Sequence, residues 1–179
     1  MPYTLQQLSD LEDIRNVKHR YFRSIDMADG AVLETLFTDD ISVEYRGGGY
    51  RVQLEGKATM LDFLLTSFHS DAVAMHQGHM PEISFAGEDS AEGIWYLEDI
   101  FVSLERNNIT IGSAIYKDLY RREDGVWKIA RTEYDRIMEI VEPIRPGMEI
   151  TTHYLAKVGR KPHERTDISH AITWYDEAA

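Results

Sequence analysis

Apolar residues recur at every third or fourth position along the start of the chain: Leu5, Leu8, Leu11, Ile14, Val17, Tyr21 and Phe22. That is the period of one helical face, so the chain opens on an amphipathic helix. Ser9 and Glu12 have the spacing of a capping box but fit a helix interior as well, and Gly30 reads as the stop. Val32, Leu33, Leu36 and Phe37 make a second short helical piece, broken by Thr38-Asp39-Asp40. The period then switches to two. Ile41, Val43 and Tyr45 alternate with Ser42 and Glu44, the Gly47-Gly48-Gly49 run turns the chain, and Val52 and Leu54 return before Gly56. The segment from Ala58 to Phe68 is apolar enough for a buried helix.

Four long strands follow: Ala72 to Phe85, Ala91 to Glu105, Ile109 to Arg122 and Val126 to Val141. Gly87-Glu88-Asp89, Asn107-Asn108 and Asp124-Gly125 separate them, and short polar separators of this kind join antiparallel neighbours. Helices first and an antiparallel meander second predict an α+β fold, with helices packed on one face of a curved sheet. The pattern weakens after Glu142, where Pro143, Pro146, Gly147, Gly159 and Pro162 punctuate it. Residues 1–142 read as the folded domain and 143–179 as a C-terminal extension, with Thr166 to Tyr175 expected as a last helix.

Composition narrows the chemistry. The chain has 19 Lys+Arg against 31 Asp+Glu, a formal charge of −12. That balance argues against a nucleic-acid partner and against an anionic membrane surface. There is no cysteine, which removes disulfides, thiolate nucleophiles and cysteine-based metal centres together. The start of the chain has no basic segment followed by an apolar run, and no stretch approaches a membrane span, so a cytoplasmic location is expected.

Several motifs fail on geometry. His76-x-x-His79 lies in a strand, where positions three apart face opposite sides, so the two do not share a metal. His163 and His170, seven apart, lack an HExxH context. Gly47-Gly48-Gly49 lacks the Lys-Ser/Thr ending of a phosphate loop, and no Gly-x-Ser-x-Gly elbow is present. No metal and no cofactor is expected. What remains is a set of ionisable groups on elements that line one cavity.

His76-Gln77-Gly78-His79-Met80-Pro81-Glu82-Ile83, Gly93-Ile94-Trp95-Tyr96 and Asp124-Gly125-Val126-Trp127-Lys128-Ile129 resemble the SnoaL-like branch of the NTF2-like superfamily. Tyr21, Asp26-x-x-Asp29 and Leu36-Phe37-Thr38-Asp39-Asp40 fit the same pattern. The resemblance runs from about residue 5 to 141. It implies a cone: a strongly curved antiparallel sheet around helices, with a pocket inside.

Within that branch the chain resembles scytalone dehydratase and bile-acid 7α-dehydratase, which eliminate water without a cofactor. The His–Asp separation of the bile-acid enzyme is matched by His76 and Asp99, and its first-helix Tyr and Asp by Tyr21 and Asp26. The first-strand Tyr of scytalone dehydratase falls on Tyr45. Its second catalytic His falls near Phe101, where this chain departs from it.

The resemblance therefore implies His76 as general base and acid, with Asp99, Asp26 and Tyr45 as the other catalytic candidates. The strand pattern adds its own argument for Asp99. Trp95, Leu97, Asp99 and Phe101 share one face, and a carboxylate on an apolar face needs a partner. His76 on the neighbouring strand is the partner expected. Tyr21, Phe101, Tyr116, Tyr134 and Arg136 are the expected substrate-binding residues. The expected activity is a cofactor-independent lyase acting on a hydrophobic, aromatic or polycyclic hydroxylated small molecule, by a dehydratase-type elimination. The alternatives are a C–C lyase releasing formaldehyde from an aromatic diol, an isomerase or cyclase, and a non-catalytic binding module such as a dioxygenase small subunit. A homo-oligomer is expected, with a trimer favoured over a dimer and the extension serving as pocket lid or subunit contact.

Overall fold

A computed structural model of the protein describes residues 3–175. Helix α1 (Leu5–Asp26) starts on a capping box made by Thr4 and Gln7. The Gln7 amide donates to Thr4 Oγ1 at 3.1 Å and the Thr4 amide to Gln7 Oε1 at 3.0 Å. Ser9 and Glu12 lie inside the helix. Its buried face carries Leu11, Ile14, Val17, Tyr21, Phe22 and Ile25, as the period predicts. Gly30 is not its stop. The helix ends at Asp26, the chain reverses at Ala28 with φ of 50°, and Gly30 opens α2 (Gly30–Leu36). The Asp29 carboxylate caps α2 by accepting from the Val32 amide at 3.1 Å.

Strand β1 (Phe37–Arg46) then starts at once, so Thr38-Asp39-Asp40 breaks the helix by beginning a strand. β2 (Tyr50–Glu55), α3 (Lys57–Ser67), β3 (Ala72–Phe85), β4 (Ser90–Ser103), β5 (Asn108–Glu123) and β6 (Val126–Pro143) match the predicted order within two residues. The β5–β6 turn has left-handed backbone at both Asp124 (φ 51°) and Gly125 (φ 79°), the turn that matches strand twist. With a short last strand, β7 (Ile172–Trp174), the sheet has seven strands in the order β3-β4-β5-β6-β1-β2-β7. All neighbours are antiparallel except β1 and β6. It is curved and unclosed, and the helices lie against it, as expected for α+β.

The extension is part of this fold. His153 Nε2 lies 2.9 Å from the Ala72 carbonyl on edge strand β3, and the Ser70 amide donates to the Arg160 carbonyl at 3.0 Å. Helix α4 (Leu155–Val158) buries Leu155, Arg160 bonds Asp62 at 2.6 Å, and Arg165 is ion-paired with Asp71. The expected last helix does not form. Ser169–Ala171 make one 3-10 turn, and Ile172–Trp174 form β7, which extends the sheet along β2. A three-residue Ile-Thr-Trp alternation finds an open strand edge, and its ladder bonds decide the outcome. The segment thus runs from one sheet edge to the other. No helix among the described residues is long and apolar enough to cross a membrane.

Trp95, Tyr120, Phe37 and Ile129 are all fully buried in the hydrophobic core. Lys18 is buried among them. Its ammonium sits 2.8 Å from Asp118 Oδ2 and 3.5 Å from the Tyr116 ring centre. Asp118 accepts from Tyr120 and Thr132, each at 2.7 Å, and the Trp95 indole donates to Tyr120 at 3.0 Å. Burial pushes the Lys18 ammonium below the usual lysine range, and Asp118 offsets part of this. Lys18→Met leaves the Asp118 carboxylate buried without its cation, which costs about 3–5 kcal/mol. Urea unfolding should show that loss, and adding Asp118→Leu should recover part of it.

Candidate functional site

His76 and Asp99 are direct cross-strand neighbours on β3 and β4. They do not bond each other. His76 Nδ1 is 2.6 Å from Asp26 Oδ1, and the His76 backbone amide donates to Asp26 Oδ2 at 2.9 Å. Asp26 ends α1, so it is the packing of that helix across β3 that supplies the partner. The imidazole lies parallel to Phe22 with ring centres 6.3 Å apart and meets Phe68 edge-on at 5.1 Å. Phe68 also packs on Phe101, at 5.9 Å. The His76 side chain is 8% exposed, and among the described residues nothing hydrogen-bonds Nε2. His79 faces the other side of the strand, 3.7 Å from Glu98.

Asp99 is taken by Arg136. The guanidinium binds the carboxylate in a fork, with Nη2 2.8 Å from Oδ2. Arg136 Nε also lies 3.2 Å from Glu139 Oε2, in an ion pair without hydrogen-bond alignment. Residues three apart in a regular strand face opposite ways. Here the register between β5 and β6 shifts: Ala114 pairs with Arg136, Ser113 with Met138 and Gly112 with Glu139. The extra residue, Ile137, turns both Arg136 and Glu139 inward. Gly112, opposite Asp99, makes the fork possible. A Cβ there would collide with Arg136 Nη1 and come within 3.1 Å of Asp99 Oδ1. Burial works against the Arg136 charge, but Asp99 and the nearby tyrosines outweigh it and hold the guanidinium above its ordinary range.

The tyrosines adjoin this group: Tyr116 meets Phe22 edge-on at 5.6 Å, and Arg136 lies 5.5 Å from the Tyr134 ring centre. Tyr21 and Tyr45 share a hydrogen bond at 2.9 Å, Tyr50 and Tyr134 one at 2.7 Å. Tyr45 stacks on Tyr134 at 4.4 Å, and Tyr116 meets Tyr134 edge-on at 5.2 Å. Burial pushes the Tyr21 phenol from 10.0 up to about 12, and raises Tyr45, Tyr116, Tyr120 and Tyr134 well above the usual range.

The structure therefore gathers His76, Asp26, Asp99, Arg136 and Phe101 in one layer, and Tyr21, Tyr45, Tyr116 and Tyr134 in the next. The expected His76–Asp99 pairing is corrected on two counts: Arg136 holds Asp99, and Asp26 holds His76. Sequence reasoning missed Phe22, Phe68, Gly112 and Glu139. A glycine inside a strand signals a close approach, which would have marked Gly112. No sequence signal marks the bulge that aims Glu139.

N-terminal helices against a curved, unclosed sheet are the architecture of NTF2-like proteins. The chain belongs to the SnoaL-like domain family, whose model matches residues 6–133. Among solved structures it is similar to a type 2 hexachlorocyclohexane dehydrochlorinase, LinA. That likeness has a TM-score of 0.70 at 21% identity and covers 80% of this chain and 99% of that one. The type 3 LinA of Novosphingobium barchaimii gives 0.69 at 20% identity, over 83% and 98%. A candidate scytalone dehydratase from Novosphingobium aromaticivorans gives 0.68 at 21%, over 80% and 97%. At these identities the likeness is one of fold.

The buried phenols make a prediction for alkaline titration. A raised pKa in the folded state contributes stability that is present below pH 10.0 and lost as pH rises through about 12 for Tyr21. Of the ten tyrosines, Tyr21, Tyr45, Tyr116, Tyr120 and Tyr134 should ionise only as the protein unfolds. Phenolate absorbance should rise in two stages, the second coinciding with loss of structure.

Proposed function

We propose that this protein is a lyase that removes water, or another small leaving group, from a hydrophobic small molecule by proton transfer through His76. The observation that carries this reading is the Asp26 contact to His76 Nδ1. A carboxylate at Nδ1 favours the tautomer with its proton there, which leaves the Nε2 lone pair for a substrate. In the reaction Nε2 takes a proton from carbon. The C–H electron pair becomes the new double bond, the neighbouring C–O bond breaks, and the proton passes to the departing hydroxide to give water. Asp26 stabilises the imidazolium between the two halves of the step. Phe22, Phe68 and Phe101 provide apolar walls and fit a ring-bearing substrate.

Several further assignments belong to the same reading. Tyr45, Tyr21, Tyr116 and Tyr134 form a hydroxyl-bearing floor beneath the substrate. Arg136 acts as a fixed positive dipole source with Asp99, not as a free cation. The dehydrochlorinase and dehydratase folds that the chain resembles support elimination as the reaction type. The C-terminal segment, tied to both sheet edges, covers the cone mouth. Ile137, Ile140 and Val141, all exposed on β6, support a homo-oligomer that sedimentation would reveal.

A panel of hydroxylated and halogenated ring compounds, followed by chromatography and halide release, would identify a substrate. For any compound turned over, His76→Ala should lower kcat by about 100-fold or more. Asp26→Asn should lower kcat in the same direction with little change in KM, because it leaves the ring in place but favours the wrong tautomer. Undiminished turnover by His76→Ala contradicts the reading.

A further inference from the structure

The charges around His76 limit what the cone admits. Asp26, Asp99 and Glu139 supply three carboxylates to this layer, against one guanidinium, Arg136. The layer therefore carries two net negative charges with His76 neutral, and one with it protonated. Lys18 and Asp118, deeper in the cone, cancel each other. Arg136 is not available to an incoming anion, because Asp99 holds it in a fork and Glu139 contacts it from the other side. Its side chain is 11% exposed and that of Asp99 only 3%, so water screens this arrangement weakly. The β6 bulge and the missing side chain at Gly112 are what put both carboxylates on the one cation.

An organic anion entering this layer would have to displace the buried Asp99 from its cation or remain unpaired beside three carboxylates, and both are costly. We propose that the site selects uncharged molecules and rejects carboxylates and phosphates, with Asp99 and Glu139 as the residues that set this selectivity. It follows that the substrate bears neutral oxygen or halogen groups and no acidic group. This rests on the His76 layer being the substrate site.

Naphthol and naphthoate, which share a ring system and differ in charge, test it by titration calorimetry on the intact protein. At neutral pH, naphthol should bind at least about tenfold more tightly. Glu139→Gln removes one of the three carboxylates, from a side chain 18% exposed, and should narrow the gap between naphthoate and naphthol several-fold. Equal or tighter binding of naphthoate to the natural protein, an unaltered gap in Glu139→Gln, or no binding of naphthol overturns the proposal. The readout is binding alone. A His76→Ala protein that keeps its turnover and still prefers naphthol therefore removes the lyase reading and leaves this one standing.

Discussion

Arg136 and Asp99 hold each other inside the cone, and that pairing decides what the rest of the interior can do. A guanidinium and a carboxylate this far from water are tolerable only together. Once Asp99 is committed to Arg136, it is not free to serve the histidine that faces it across the strand pair. His76 is left to Asp26, on a different element and at a different angle. The helix that brings Asp26 also brings Phe22 against the ring and Lys18 to Asp118 two turns earlier. One helix face thus supplies the partner, the apolar wall and the polar floor.

The same rule of pairing explains why the interior is layered. Lys18 and Asp118 form a neutralised base, shielded by Tyr116 and closed off by Trp95 and Tyr120. The tyrosines above it satisfy one another's hydroxyls in pairs. His76 Nε2 has no hydrogen-bond partner among the described residues, while its other ring nitrogen is held by Asp26. In the proposed lyase that free lone pair is the proton acceptor.

Much of this was legible in the sequence, and for a physical reason. Period-two alternation with turn residues between runs reports which residues of a strand share a face, so the four long strands could be read directly, whereas the choice of His76 rests on the family resemblance and that of Asp99 on the apolar face it shares. The break of α1 near Asp26 and the capping role of Asp29 lay too close to Gly30 to separate by pattern. Partner choice was not legible. Asp26 and His76 are fifty positions apart, and their meeting depends on how a helix crosses a sheet. The inward turn of Glu139 depends on one extra residue, Ile137, in a strand of otherwise regular alternation. The last strand was read as a helix because three residues carry little periodicity, and an open sheet edge decided its form.

The Asp26 carboxylate at Nδ1 of His76 favours the proton there and the lone pair on Nε2. Nitrogen NMR of the imidazole in the folded protein tests this most directly. At a pH where the ring is neutral, the account predicts a protonated Nδ1 and an unprotonated Nε2, with the preference lost in Asp26→Asn. A ring protonated at Nε2, or one whose tautomer is indifferent to Asp26, would contradict it.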